Sequence, residues 1–255
     1  MRNIWTICRR ELYAYFVSPI AWVLLAIFAF LSGVFTYIIS ASFVQYSLRG
    51  QMSGQATPMN VNEMVIAPLF SNIAVIGLFL IPLISMRLFA EEKRQGTIEL
   101  LVTSPVRDIE IIFGKWLASL IMYCALLAVL AADYSFLFLY GTPDWKPVAT
   151  GFLGIVLQGA CLLAFGAFIS TLTRNQIVAG AVGFALALVL WILNWTTQFG
   201  TSTTVQVLSY LSIVSHMDSF SRGVIDTKDL VYYISMTFLG LFLTARSLES
   251  MRWRA

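Results

Sequence analysis

Charge is what this sequence has least of. Only 11% of its 255 residues are Asp, Glu, Lys or Arg, where a soluble globular domain carries about 25%. That supply cannot cover a water-facing surface. Histidine is rarer still: His216 stands alone, so no paired-histidine metal centre and no Ser/His/Asp or metal-ligand cluster can be read from the chain. Three cysteines, Cys8, Cys124 and Cys161, fall in or beside apolar stretches without metal-like spacing, and read as small packing residues. There is no phosphate loop. The Gly-Lys pair Gly114–Lys115 is followed by Trp116, and Ile109 stands where such a loop needs its first glycine. Period-2 alternation and fixed-length repeats are also missing, which excludes a β-barrel.

What is present is apolar. Hydrophobic residues make up 59% of the chain, and the mean hydropathy is +0.82. A bilayer core about 30 Å thick needs roughly 20 apolar residues per helix. Six runs qualify: Ile20–Ala41, Val65–Met86, Ile109–Tyr140, Ala149–Leu172, Ile177–Trp195 and Leu230–Ala245. The predicted class is an all-α membrane protein with six transmembrane helices in a single domain, residues 1–255. The start does not read as a cleavable signal peptide, because its first apolar run begins after residue 19 and exceeds an h-region in length.

The basic residues predict an orientation. Arg2, Arg9, Arg10, Arg87, Lys93, Arg94, Arg107, Lys115, Arg174, Arg246, Arg252 and Arg254 fall on one side of a six-span topology. Arg49, Lys146, Arg222 and Lys228 fall on the other. The positive-inside rule places the richer side, with both termini, in the cytoplasm. The net charge of +3 is then topological bias, and no nucleic-acid partner is needed to explain it.

Between the spans the sequence predicts smaller elements. Residues 1–18 form an amphipathic interfacial helix, with Ile4, Cys8, Leu12 and Phe16 repeating every four residues and Trp5 and Tyr15 alongside. Ser18–Pro19 ends it. Residues 42–64 are polar, with Gly and Pro, and read as an external loop; residues 141–148 read as a short external turn. Residues 196–229 carry Val207, Leu211, Val214, Met217 and Phe220, too short and polar a pattern to cross, and read as external re-entrant helices between spans five and six. Trp22, Trp116, Trp145, Trp191 and Trp195 read as interface anchors. Gly and Ala residues such as Ala160/Ala164, Ala181/Ala185, Gly159 and Gly166 allow close helix approach. Asp133 is the acid well inside a predicted span. It is either an internal polar contact or pathway group, or a side chain at headgroup level.

One charged knot breaks the apolar pattern: Glu91, Glu92, Lys93, Arg94 and Glu99 lie within nine residues. Glu91–Arg94 are helix-prone and Gly96 interrupts. Thr97 is placed to cap a short helix, Ile98–Val102, with Glu99 in its first turn. Thr103–Ser104–Pro105 stops that helix, and Asp108 is placed to cap the third span. Ile98, Leu100 and Leu101 beside acids form either a docking surface for a partner protein or a self-packed anchor for the third span.

The stretch Phe89–Ala118, "FAEEKRQGTIELLVTSPVRDIEIIFGKWLA", resembles the signature region of permeases of the ABC-2 transporter type, or type V exporter-like proteins. The matching positions are Glu92, Gly96, Thr97, Glu99, Leu100, Leu101, Thr103, Pro105, Val106, Gly114 and Lys115. "LTRNQIVAG", Leu172–Gly180, resembles that family's corner before the fifth span. "SRGVIDTKDLVYY", Ser221–Tyr233, resembles most closely the permeases associated with bacterial gliding motility.

The resemblance implies a fold and a division of labour. Residues 87–104 would be the cytoplasmic coupling element, with Glu91, Glu92, Gly96, Thr97, Ile98, Glu99, Leu100 and Leu101 meeting an ATPase. The chain would hold no cofactor and no enzyme activity, since ATP and Mg would sit on two partner ABC ATPase subunits. A second permease copy or paralogue would complete the assembly in the bacterial inner membrane, among its lipids, with an external or periplasmic accessory protein as a further possible partner. A pathway at the permease interface would be lined by spans one, two and five, which makes Phe28, Phe35, Phe79 and Trp191 candidate wall residues. The implied activity is export of a lipid-like, amphipathic or polymeric substrate. The alternative is a non-transporting scaffold or force-transmitting subunit of a cell-envelope machine. An ion-coupled transporter is disfavoured by the single intramembrane acid and the lack of paired repeats.

Overall fold

Pro19 begins the first long helix, because its fixed φ suits a first helical turn and its missing N–H costs nothing there. In the computed structural model, which describes residues 2–52, 60–98, 106–140, 143–195 and 203–252, helix α1 is Arg2–Val17 and α2 is Pro19–Met52. A π-helical turn, Asn62–Ile66, runs directly into α3, Ala67–Ser85. Then follow α4, Ala90–Gln95; α5, Asp108–Tyr140; α6, Trp145–Leu172; and α7, Gln176–Ile192. Two short helices, α8, Thr203–Tyr210, and α9, Met217–Ser221, precede α10, Thr227–Arg252.

Six of these, α2, α3, α5, α6, α7 and α10, are long and apolar enough to cross a membrane. The expected count holds, and four boundaries move. The helix of span one continues to Met52, so residues 42–52 are not loop. Ser42 shows why: its hydroxyl returns to the Ile38 carbonyl at 2.6 Å, which satisfies a polar side chain without ending the helix. Span four starts at Trp145 and takes Pro147 in its first turn. Span six runs past Arg246 to Arg252. Span three opens with Arg107, not Asp108, at the cap position. The Arg107 carbonyl accepts from Glu110 and Ile111, and the Glu110 carboxylate returns to the Arg107 N–H at 3.3 Å.

The bundle is built around α6 and α3. Buried residues fill 67% of the apolar window of α6 and 17% of that of α2, so α2 lies at the periphery. Small residues let the centre close. The Tyr123 ring of α5 occupies the space where a Cβ at Gly159 would sit, 2.2 Å away. Cys8 and Cys161 are buried and all three cysteines are free. At the end away from the termini, Met217 and Phe220 of α9 are buried against α6, and the Phe220 carbonyl accepts from Thr150 at 2.8 Å. Part of segment 196–229 is thus core; residues 196–202 lie outside the described residues.

Trp22, Trp145 and Trp195 are exposed near helix ends, as anchors would be. Trp116 is not one of them. Its indole donates to the Ala160 carbonyl at 3.1 Å, between α5 and α6.

Candidate functional site: a buried charge cluster under the knot

Helix α1 docks by one face. Asn3, Ile7, Glu11 and Tyr15 recur at four-residue spacing and so point the same way. Asn3 donates to Glu110 at 3.1 Å. Ile7 sits over Gly114, where an added Cβ would lie 2.9 Å from two of its atoms. Glu11 reaches Lys115, and the Tyr15 hydroxyl donates to the Ile84 carbonyl at 2.8 Å. The inward face takes in this seam and the expected stripe as far as Leu12: Cys8 and Tyr15 are buried, Ile4 and Leu12 half-buried, and Phe16 is exposed. The helix packs on α5 and α3 by this seam and not by lipid contact alone.

Helix α4 is held from below. Its first amides have no capping side chain of their own. Ser170 of α6 supplies one, accepting from the N–H of Phe89 at 3.0 Å and of Ala90 at 2.9 Å while donating to the Met86 carbonyl. Lys93 donates to the Thr171 carbonyl at the end of α6. The acids Glu91 and Glu92 lie in the first turn of α4 and Lys93 and Arg94 in the last, each favoured by the helix dipole. Gly96 ends α4 with φ +73°, a conformation that only glycine adopts without cost. Its N–H and that of Thr97 both return to the Glu92 carbonyl, a closure of the Schellman kind. Thr97 thus finishes α4; its hydroxyl also points back to Glu92. Ile98 is helical again and packs, partly buried, against the apolar cluster that includes Leu88, Phe89, Ile111 and Ile112. Of the two alternatives for this patch, the self-packed one accounts for the buried part of Ile98. Glu99, Leu100 and Leu101 lie outside the described residues.

The two helices meet at four charges. Lys115 Nζ lies 2.9 Å from Glu92 Oε1 and 3.0 Å from Glu11 Oε1. Arg10 Nη2 lies 3.2 Å and 3.0 Å from the same two oxygens. Lys115 is only 1% exposed, with the Phe89 ring 5.4 Å from its Nζ. Burial raises the Glu11 carboxyl, but Lys115 and then Arg10 outweigh it and hold the group below the ordinary carboxylate range. Beside the cluster the Arg87 guanidinium stacks over Tyr15 at 4.4 Å and approaches Glu91 at 3.7 Å. Such an array performs no bond chemistry. It makes α1, α4 and the start of α5 one body, because separating them would strand buried charge at a cost of about 3–5 kcal/mol per broken pair. Ser170 and Lys93 extend that body to α6.

Of the residues singled out in the knot, Glu92 faces inward and Glu91 is half-buried, leaving Arg94, Gln95, Gly96 and Thr97 exposed. The four aromatic positions do not share one exposed surface. Phe28 is in the core and Phe35 packs against it. Phe79 is exposed, its ring centroid 4.9 Å from that of Phe184. Trp191 is half-buried and meets Trp195 at 5.4 Å. Asp133 accepts from Ser32 of α2 at 2.6 Å. Ser32 stands ~20 Å of helical rise beyond Pro19, so this contact lies within the span and not at its first turn. No group of three or more His, Cys, Asp or Glu able to hold a metal occurs among the described residues.

One constellation was not anticipated. His216 is buried, with Nδ1 2.6 Å from Asp229 Oδ1 and Nε2 donating to the Tyr210 carbonyl at 2.8 Å. Its ring stacks on Tyr232 with centroids 3.9 Å apart. The pair ties the segment before α9 to the start of α10. The readable signal was an aspartate close to a tyrosine pair, Asp229 and Tyr232–Tyr233.

Residues 5–245, from α1 through most of α10, match the family model described as ABC-2 family transporter protein. No curated protein matches the chain. With the match covering nearly the whole six-helix bundle, the chain belongs to the ABC-2 family of transporter proteins, as a multi-pass membrane subunit of the kind that partners with a separate ABC ATPase.

Proposed function

We propose that this chain is the permease half of an ATP-driven exporter, and that the charge cluster carries the stroke of the ATPase into the membrane. The observation behind this reading is the Glu92–Lys115 contact. It joins the element that the signature motif assigns to ATPase contact with the root of α5, a helix of 33 residues. The exposed rim of α4, Arg94 to Thr97, together with Glu99, Leu100 and Leu101, is then the ATPase-facing surface, and Glu92 transmits instead of docking.

The same reading puts both termini in the cytoplasm, by the bias of basic residues, and the chain in a bacterial inner membrane. Two copies, or a copy and a paralogue, stand over two ATPases, since closed two-fold pairing matches two coupling elements. The exposed Phe79, with the half-buried Phe184 and Trp191, supplies an apolar wall at the interface, which favours a lipid-like, amphipathic or polymeric substrate. The tail Ser221–Tyr233 supports kinship with gliding-associated permeases.

The test is capture of the ATPase by the solubilised chain. Arg94→Glu and Leu101→Asp release it, while Lys115→Met keeps it bound but abolishes ATP-driven transport by proteoliposomes. Undiminished capture by both rim variants overturns the assignment of the surface.

A further inference from the structure

The face of α1 opposite its docking seam carries a second pattern. Trp5, Arg9 and Tyr13 recur at four-residue spacing, so an arginine lies between two aromatic rings on one side of the helix. Trp5 is 61% exposed and Tyr13 is 73% exposed. Together with Arg10 and Phe16 they line a shallow groove of about 660 Å³. Arg9 has no ion-pair or hydrogen-bond partner among the described residues. The Arg10 guanidinium is also largely exposed, although one nitrogen is committed to Glu11 and Glu92.

The surroundings identify the medium. The Phe16 ring meets the Trp22 ring edge-on at 6.1 Å, and the Trp22 indole donates to the Phe16 carbonyl at 3.0 Å. The Phe16 end of this groove therefore abuts the start of α2, along which Val23, Ile27 and Phe30 are exposed. That face belongs to a helix of membrane-spanning length with few buried residues. Aromatic rings flanking arginines at the foot of a lipid-facing helix occupy headgroup depth. Two cations with no acid on the outer side of the groove complement a phosphate.

We propose that the outer face of α1 binds the phosphate of an anionic phospholipid headgroup, with Arg9 and Arg10 as the cations and Trp5 and Tyr13 as the rings that seat it. Arg10 serves this site and the cluster at once. A phosphate drawing on its guanidinium competes with Glu92, so headgroup occupancy is felt by α4. This consequence rests on the coupling reading above; the site itself does not.

The experiment uses the full chain in nanodiscs of phosphatidylcholine containing brominated phosphatidylcholine or brominated phosphatidylglycerol. Trp5 quenching is taken as the difference between the wild type and Trp5→Phe. Phosphatidylglycerol quenches more. Arg9→Gln weakens the preference about fivefold, the effect of one basic residue at an anionic surface, and Arg9→Lys retains it. The site is overturned by equal quenching by the two lipids, by a preference that survives Arg9→Gln, or by relief of quenching by inorganic phosphate at constant ionic strength, which would mark a free-phosphate site. Trp5 quenched in the chain alone but shielded from both lipids in the ATPase complex assigns the face to the ATPase and also overturns it. In the complex, phosphatidylglycerol changes the ATPase rate of the wild type but not of Arg9→Gln. A rate blind to lipid, with the quenching preference intact, overturns the link to α4 alone.

Discussion

The ammonium of Lys115 on α5 lies 2.9 Å from the carboxylate of Glu92 on α4, and almost none of the lysine is open to solvent. A buried charge of this kind is worth little to stability when paired and is costly when orphaned. Its value is positional: it fixes where one helix sits relative to another. Glu92 Oε2 is buried without a partner, so the carboxylate's hold on its neighbours rests on its other oxygen, the one shared by Lys115 and Arg10.

Lys115→Met is therefore expected to destabilise the chain by about 3–5 kcal/mol, since it leaves Glu11 and Glu92 facing Arg10 alone. Adding Glu92→Gln recovers part of that loss by removing one uncompensated carboxylate. Thermal unfolding in detergent of both single variants and the double variant measures the coupling. A Lys115→Met cost within ~0.5 kcal/mol, the range of ordinary surface changes, contradicts a buried ionic cluster.

Acid should loosen the cluster through Glu11. Its carboxyl in the folded chain titrates below the ordinary value of about 4.3. The stability it contributes is thus complete above that value, and is lost as pH falls through it toward the folded-state value. Unfolding measured between neutral pH and acid should show this loss in the wild type, with a shallower dependence in Glu11→Gln. Parallel curves for the two proteins would remove Glu11 from the account.

Gly114→Val places a side chain where Ile7 now sits. Overpacking of this kind costs about 1–3 kcal/mol, and it should fall on α1 docking before the rest of the bundle. Limited proteolysis should then cut near Ser18, and Ile7→Ala in the same chain should restore protection. Unchanged cleavage in Gly114→Val would show that α1 does not need this approach.

At the far end, His216→Ala breaks a buried pair and strips the ring stacked on Tyr232. A loss of about 3–5 kcal/mol is expected, with faster amide exchange from Thr203 to Ser221. Exchange that speeds up uniformly over the molecule would show that the pair does not specifically hold this segment.

The spans were legible because length and hydropathy alone decide them. The end of α2 was not: residues 42–52 are polar enough for a loop, and only a backbone carbonyl four residues back, out of sight of composition, keeps Ser42 in the helix. For α1, the inward stripe Ile4–Cys8–Leu12 was legible, but that Ile7 and Glu11 share the face depends on Gly114 and Lys115 far along the chain. Glu92 read as outward because it stands in a run of four charges, and nothing local shows that Lys115 returns beneath it. His216 was weighed as a metal ligand and lacked a second histidine; its partner is a carboxylate.

The central claim is that α4 and the root of α5 move as one body when the ATPase works. Spin labels at Arg94→Cys on α4 and Ile109→Cys on α5, both exposed positions, report the distance between the two helices within one chain of the reconstituted permease–ATPase complex. Pulsed dipolar spectroscopy with and without trapped ATP is the measurement. The account predicts an unchanged intrachain distribution on ATP trapping in the wild type, and a broadened or displaced one in Lys115→Met. A shift of the wild-type α4–α5 distance on ATP trapping, with the cluster intact, would contradict it.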